Sequence, residues 1–299
     1  MIIDAHSHLW RRQATEDVFS MEKNPSRSMF FGEERQMLPP FMIDGENTAE
    51  AFLSNMDYAQ VSAAVVVQEI IDGNQNEYLA EVQQKYPDRF LCCGMIDGKA
   101  TSLEIQDSGF KIQDSGFKFQ AYAMPGHRVE RSLIDFMPIF KTLEKEGRIL
   151  SMCLADDERQ ISEFEEVIQE CPELKIAIGH FGMVTTPNWR NQILLARHKN
   201  VMIESGGITW LYNSEFYPFP TAVRSIKEAA DMVGMDKLMW GSDYPRTITA
   251  ITYRMSYDFI CKSTMLTDDE KALFLGRNAE KFYGFNNLVD LPYIKNMSE

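Results

Sequence analysis

Arg148-Ile-Leu-Ser-Met-Cys-Leu-Ala-Asp-Asp-Glu-Arg-Gln-Ile-Ser-Glu-Phe-Glu-Glu-Val-Ile-Gln-Glu-Cys-Pro-Glu-Leu-Lys-Ile-Ala-Ile-Gly179 is the stretch whose reading decides the fold. A short apolar run, Arg148–Leu154, gives way to an amphipathic stretch, Glu158–Glu170, and then to a second apolar run, Leu174–Gly179. Nearly continuous apolar strands alternating with helices mark parallel strands covered on both faces. The same unit recurs along the chain. Further strand candidates are Met1–Asp4, Ala63–Gln68, Phe90–Met95, Gly116–Tyr122, Asn200–Glu204 and Lys237–Gly241. Between them lie amphipathic stretches at Thr48–Ala59, Gln75–Tyr86, Arg131–Glu146 and Phe219–Val233. Eight such strands predict an α/β protein of the (β/α)8 TIM-barrel class, with all 299 residues in one domain. An open doubly wound sheet is the alternative.

Two local features interrupt the pattern. The connection from Leu9 to Glu46, after the first strand, carries Met21, Met29, Phe30, Phe31, Met37 and Pro39-Pro40. A long loop without evident structure suggests a lid or pocket wall, or else a cover for the barrel rim or a subunit interface. Further on, Ile105-Gln-Asp-Ser-Gly-Phe-Lys111 is repeated unchanged as Ile112-Gln-Asp-Ser-Gly-Phe-Lys118. One copied heptad is a local duplication rather than a solenoid. The second copy is taken to lead into the fourth strand, where Lys118 and Gln120 alternate with aromatics as candidates to face a pocket.

Composition narrows the function classes. Asp plus Glu number 44 against 30 Lys plus Arg, a formal charge of −14, which argues against a nucleic-acid partner. No apolar run approaches the ~18 residues of a membrane helix, and Met1-Ile2-Ile3-Asp4 lacks the features of a signal peptide. The five cysteines, odd in number, read as reduced thiols, and the expected compartment is the cytoplasm. The expected partner is a small-molecule substrate; barrel enzymes often form homodimers, but no stretch specifies an interface.

In a barrel the reactive residues stand at the C-terminal ends of the strands. His6-Ser7-His8 closes the first strand, and alternate residues of a strand point the same way, so the two imidazoles can chelate a divalent ion such as Zn²⁺. Surface or capping histidines are the bland alternative. Asp243 follows the eighth strand and could ligate a metal, take a proton from water, or merely cap a helix. Strands one and eight adjoin in a closed barrel, so Asp243 would meet the two histidines. His180 ends the sixth strand as a further ligand, an acid/base, a substrate donor or a histidine satisfied inside the mouth. Glu204, near the end of the seventh, is a candidate for substrate or for pairing with an arginine.

These residues also carry a resemblance. Ile3-Asp4-Ala5-His6-Ser7-His8-Leu9-Trp10, Gly179-His180-Phe181-Gly182, Trp240-Gly241-Ser242-Asp243-Tyr244-Pro245-Arg246 and Asn278-Ala279 resemble the amidohydrolase superfamily, in its amidohydrolase-related (type 2) branch. The resemblance implies one divalent metal, Zn²⁺ ahead of Mn²⁺ or Fe²⁺, held by His6, His8 and Asp243, with His180 assisting or ligating. It implies catalytic roles for Asp243 and His180. The branch contains lactonases of sugar lactones and of 2-pyrone-4,6-dicarboxylate, other hydrolases, and non-oxidative decarboxylases of aromatic or muconate-type acids. Many members carry a histidine at the end of strand five; here Ile149-Leu-Ser-Met-Cys-Leu-Ala-Asp156 has none. That departure tells against a two-metal centre and favours lactonase-like hydrolysis over decarboxylation. Cys153 is a packed thiol or, as a second choice, a soft ligand. Arg246 is placed to meet a substrate carboxylate or hydroxyl through its planar fork, ahead of Arg11, Arg12 and Arg128. A barrel that has lost catalysis is the third reading.

Overall fold

The computed structural model describes residues 1–11, 26–30, 33–42, 44–102, 117–295 and 297. Eight strands pair in parallel in the order of the chain: β1 (Ile3–Ser7), β4 (Ala63–Val66), β5 (Phe90–Met95), β6 (Ala121–Met124), β7 (Ile149–Met152), β8 (Lys175–Ile178), β9 (Val201–Glu204) and β10 (Leu238–Met239). Hydrogen bonds between first and last strands complete the ring. Ala5 N donates to Trp240 O at 2.9 Å, Asp243 N to His6 O at 2.8 Å and His8 N to Tyr244 O at 2.8 Å. The fold is thus the (β/α)8 barrel, nearly closed, rather than an open sheet.

Alternation along the short strands sorts the apolar residues into two cores. Ile3, Ala5, Ala63, Val65, Leu91, Cys93, Ala121, Ala123, Ile149, Ala177, Met202 and Met239 fill the barrel, and Phe282 and Tyr283 of the last helix join them. The intervening residues, such as Leu150, Ile176, Ile178 and Ile203, face the helices. Those helices form along the amphipathic stretches, some with a side-chain cap. Asp157 accepts from Arg159 N to begin Glu158–Glu170, whose Ile161, Phe164, Val167 and Ile168 are buried. Helices Ala49–Ala59, Asn76–Lys85, Met137–Lys145 and Pro220–Val233 fall within the stretches expected from the sequence.

Three differences from expectation bear on the site. The first strand begins and ends later than Met1–Asp4 and takes in His6. The fourth begins only at Ala121, so Lys118 and Gln120 precede it and stand exposed at the entry end of the barrel, away from the mouth. Lys118 instead lies 3.6 Å from Glu146. The pocket role expected of this pair is corrected accordingly. The segment after β1 contains an antiparallel hairpin, β2 (Arg27–Phe30) with β3 (Glu33–Gln36), where only a loop was expected. Residues 12–25, 31–32 and 43 of that segment, and 103–116 with most of the duplicated heptad, lie outside the described residues.

Candidate metal centre

Strict alternation along β1 would turn His6 outward, because Ile3 and Ala5 already point into the barrel. A bulge changes the phase. Asp4 pairs with Ala64 and Ser7 with Val66, so β1 holds one residue more than its neighbour over that interval. Bulges re-aim side chains in this way beside active sites. Asp4, between Ile3 and Ala5, faces outward, while beyond the bulge His6 and His8 both reach the mouth. Asn47 Nδ2 donates to His8 O at 2.6 Å, and Ser7 Oγ to Val65 O at 2.9 Å, which fixes the strand end.

Asp243 arrives from the opposite end of the chain with φ +60, a left-handed conformation uncommon outside glycine. Asp4, fully buried, holds the turn. It accepts from Ser242 N at 2.8 Å, Ser242 Oγ at 2.5 Å, Tyr253 Oη at 2.8 Å and His6 N at 3.1 Å. One carboxylate therefore ties together the two segments that bring His6 and Asp243 to one place.

The result is a triangle of ligand-type atoms. His6 Nε2 and His8 Nε2 are 3.1 Å apart, His8 Nε2 and Asp243 Oδ1 3.0 Å, and His6 Nε2 and Asp243 Oδ1 3.7 Å. Ligands at 2.0–2.2 Å around a tetrahedral ion are about 3.3–3.6 Å from one another, so the triangle fits a small divalent metal with little movement. The remaining imidazole nitrogens agree with this. His6 Nδ1 lies 2.7 Å from Glu204 Oε1, and His8 Nδ1 lies 3.3 Å from Asp72 Oδ2, off the line of a hydrogen bond. The hydrogen bond to Glu204 fixes the His6 tautomer that bares Nε2, as is usual for metal-bound histidines, while Asp72 stands behind His8 Nδ1 at ion-pair range.

Electrostatics reflect burial against pairing. Burial and the neighbouring His8 hold His6 low, so it is a neutral imidazole, while burial pushes the Glu204 carboxyl up. For His8, burial and the Arg246 charge press downward, but the hydrogen bond to Asp243 and the negative charge of Asp72 carry it up to about 8. Burial opposes ionisation of Asp243, yet His8, Arg246 and His180 hold it well below the usual carboxylate range.

Around the triangle the expected residues part company. Glu204 is fully buried behind His6, accepting also from His180 N at 3.2 Å and Gly206 N at 2.5 Å. Its cage is built from glycines: a Cβ at Gly179, Gly206 or Gly241 would come within 2.7–2.9 Å of its carboxylate oxygens. Glu204 is thus hydrogen-bonded to His6 and two backbone N–H groups, not paired with an arginine. His180 reaches the mouth, its ring centroid 4.7 Å from that of His6. Its Nδ1 lies 2.9 Å from Gly206 O, a carbonyl that can only accept, so Nδ1 carries the hydrogen and Nε2 is bare. It stands outside the group of three whose ligand atoms lie within 4.8 Å of one another. Arg246 also reaches the mouth. Its Nη2 donates to Asp72 Oδ1 at 2.7 Å, while its buried Nη1 has no hydrogen-bond partner among the described residues. Cys153 takes the strand-five position, and burial pushes its thiol well up, so it remains protonated. Asp72, Asp4 and Glu69 were not anticipated. Glu69 continues the inward series of Ala63, Val65 and Val67 and lies 3.3 Å from His127.

The family model described as amidohydrolase matches residues 3–285. Among solved structures, a zinc-bound amidohydrolase from Burkholderia multivorans is 17% identical, with a TM-score of 0.71, 95% of this chain covered and 99% of that one. A protein from Acinetobacter baumannii described as a probable 2-pyrone-4,6-dicarboxylic acid hydrolase is 18% identical, with a TM-score of 0.66 and the same coverage, 95% and 99%. The 5-carboxyvanillate decarboxylase of Sphingomonas paucimobilis is 16% identical, with a TM-score of 0.62 and again 95% and 99% covered. No curated protein matches. At these identities the solved structures speak for the fold, whereas the family match spans nearly the whole chain: this protein belongs to the amidohydrolase family.

Proposed function

We propose that the protein is a metal-dependent hydrolase that opens a lactone, or a related ester or amide bond, in a small sugar-acid or carboxylic-acid substrate. The observation that carries this reading is the convergence of His6 Nε2, His8 Nε2 and Asp243 Oδ1 at the barrel mouth. Two imidazoles and one carboxylate suit Zn²⁺ best, with Mn²⁺ and Fe²⁺ as alternatives. Such an ion supplies Lewis acidity and lowers the pKa of a bound water toward ~7.

The chain's own groups do the rest. Asp243, ionised and aimed by its turn, takes the proton of the attacking water at its carboxylate and returns it to the leaving oxygen. Burial holds His180 neutral, and its bare Nε2 accepts a hydrogen bond from water or substrate rather than donating one to an oxyanion. Arg246, steadied by Asp72, offers its unsatisfied Nη1 to a substrate carboxylate or carbonyl. Cys153 where many relatives in the branch carry a histidine favours one metal over two, and hydrolysis over decarboxylation.

The test pairs metal analysis with an activity screen. Protein purified without added metal is expected to hold or take up about one Zn²⁺ or Mn²⁺ per chain. Asp243→Asn is expected to fold but lose acid release from a panel of lactones in weakly buffered medium. CO₂ release from aromatic acids without lactone opening would replace the hydrolase by a decarboxylase. Lactone turnover near wild type in Asp243→Asn would remove Asp243 from the mechanism.

A further inference from the structure

Asp243 has two carboxylate oxygens in different surroundings. Oδ1 faces the two histidines, 3.0 Å from His8 Nε2 and 3.7 Å from His6 Nε2. Oδ2 accepts from the indole Nε1 of Trp210 at 2.7 Å. We propose that Trp210 is a positioning residue of the metal centre, fixing Asp243 as a one-oxygen ligand, and that Gly207 is the residue that lets the indole reach it.

The local sequence is built for this reach. Trp210 lies in a four-residue helical turn, Ile208–Leu211, entered at Gly207 with φ +72. A Cβ at Gly207 would lie 1.8 Å from Trp210 Nε1 and 2.4 Å from Cε2, so the indole occupies the space a side chain would need. Glycine is required here twice over, for the positive φ and for the contact. A second tether holds the same turn. Thr209 Oγ1 and Thr247 Oγ1 are 2.8 Å apart and buried, linking Ile208–Leu211 to the segment that follows Asp243. The indole also stands edge-on to the His180 ring, at 6.0 Å between centroids. Trp210 is therefore locked between His180 and Asp243, and its N–H cannot follow if the carboxylate turns.

The consequence is geometric. Rotation about the Cβ–Cγ bond of an aspartate exchanges its oxygens, and near a metal it allows both to bind. A donor seated on Oδ2 sets that rotation before any metal arrives. Partners of this kind commonly account for roughly 10- to 100-fold in metal affinity or activity.

This inference rests on the metal reading of His6, His8 and Asp243, and the experiment separates the two. Zn²⁺ affinity is measured by competition with a chromogenic chelator, on wild type, on Trp210→Phe and on a form with benzothienylalanine at position 210. That last side chain keeps the ring and loses only the N–H, which guards against misfolding of Trp210→Phe. Both are expected to keep the wild-type circular dichroism and bind Zn²⁺ roughly 10- to 100-fold more weakly. Co²⁺ in the site should lose visible absorption as Asp243 turns toward two-oxygen binding. Gly207→Ala, with Trp210 intact, should move both readouts the same way. Unchanged Zn²⁺ affinity and Co²⁺ spectrum in folded variants, with only a lower melting temperature, would overturn the positioning role and leave the metal reading intact. Failure of the wild type to bind Zn²⁺ or Co²⁺ would overturn both.

Discussion

Glu204→Gln isolates a part of the centre that lies buried behind His6. The replacement has the same length and nearly the same volume, so the glycine cage around it stays filled. What changes is donor and acceptor identity. In the native arrangement Oε1 faces His6 Nδ1 at 2.7 Å and His180 N at 3.2 Å, while Oε2 faces Gly206 N at 2.5 Å. Two of these partners are backbone N–H groups, which can only donate. A glutamine amide must therefore turn its NH₂ toward Gly206 N, setting two donors face to face, or toward His6 Nδ1. In the second case His6 has to carry its hydrogen on Nε2, the atom that faces His8. The first outcome leaves a buried donor unsatisfied, at about 1–3 kcal/mol. The second sets the same NH₂ against the His180 N–H and also puts a proton where the metal would bind. Either way the metal is expected to be held roughly 10- to 100-fold more weakly, about 1.4–2.7 kcal/mol. Equilibrium competition with a chromogenic chelator reads that loss directly, with circular dichroism confirming that the variant is folded. Wild-type affinity in folded Glu204→Gln would refute the reasoning, because the carboxylate behind His6 would then have no bearing on its tautomer.

Other consequences are open to simpler checks. Asp4→Ala leaves Ser242 N, His6 N and the Tyr253 hydroxyl without their acceptor, and the Ser242 hydroxyl with only His6 O at 3.4 Å. Unfolding by guanidinium should show a loss of about 3 kcal/mol or more, and a loss under 1 kcal/mol would mean that the strand end and the Asp243 turn are held by other contacts. Zn²⁺ at about 100 times its Kd should stabilise the fold by roughly 2.7 kcal/mol, and a His6→Ala/His8→Ala variant should show no such shift. An equal shift in that variant would place the ion elsewhere. Lys118→Ala and Gln120→Ala should leave kcat/KM within about twofold of wild type, since both side chains stand exposed at the entry end of β6; a tenfold loss would put them back in the pocket.

The apolar runs made the barrel legible, because the strands are short and uninterrupted and most are followed by an amphipathic stretch. Ligand types were legible too, since His6, His8 and Asp243 end the first and last strands, and ring closure alone makes those ends neighbours. What sequence could not supply was phase. Ile3 and Ala5 point into the barrel, and a reader counting by twos from them would send His6 outward; only a bulge opposite Ala64–Val66 brings it back. Bulges leave no mark in a five-residue strand that holds no glycine. The same limit explains Glu204 and Lys118. A carboxylate at a strand end reads as reaching for substrate, unless one knows that Gly179, Gly206 and Gly241, just past the ends of β8, β9 and β10, clear a chamber for it behind His6. Alternation around Lys118 suggested a strand, but pairing begins only at Ala121, where the chain meets Cys93 and Ile149. Trp210 and Asp72 act on the centre from single helical turns, too short for any periodicity to mark their direction. Sequence thus carries which groups stand at the mouth, while their orientation is decided by what their neighbours omit: an extra ladder partner beside β1, and side chains at Gly207, Gly206 and Gly241.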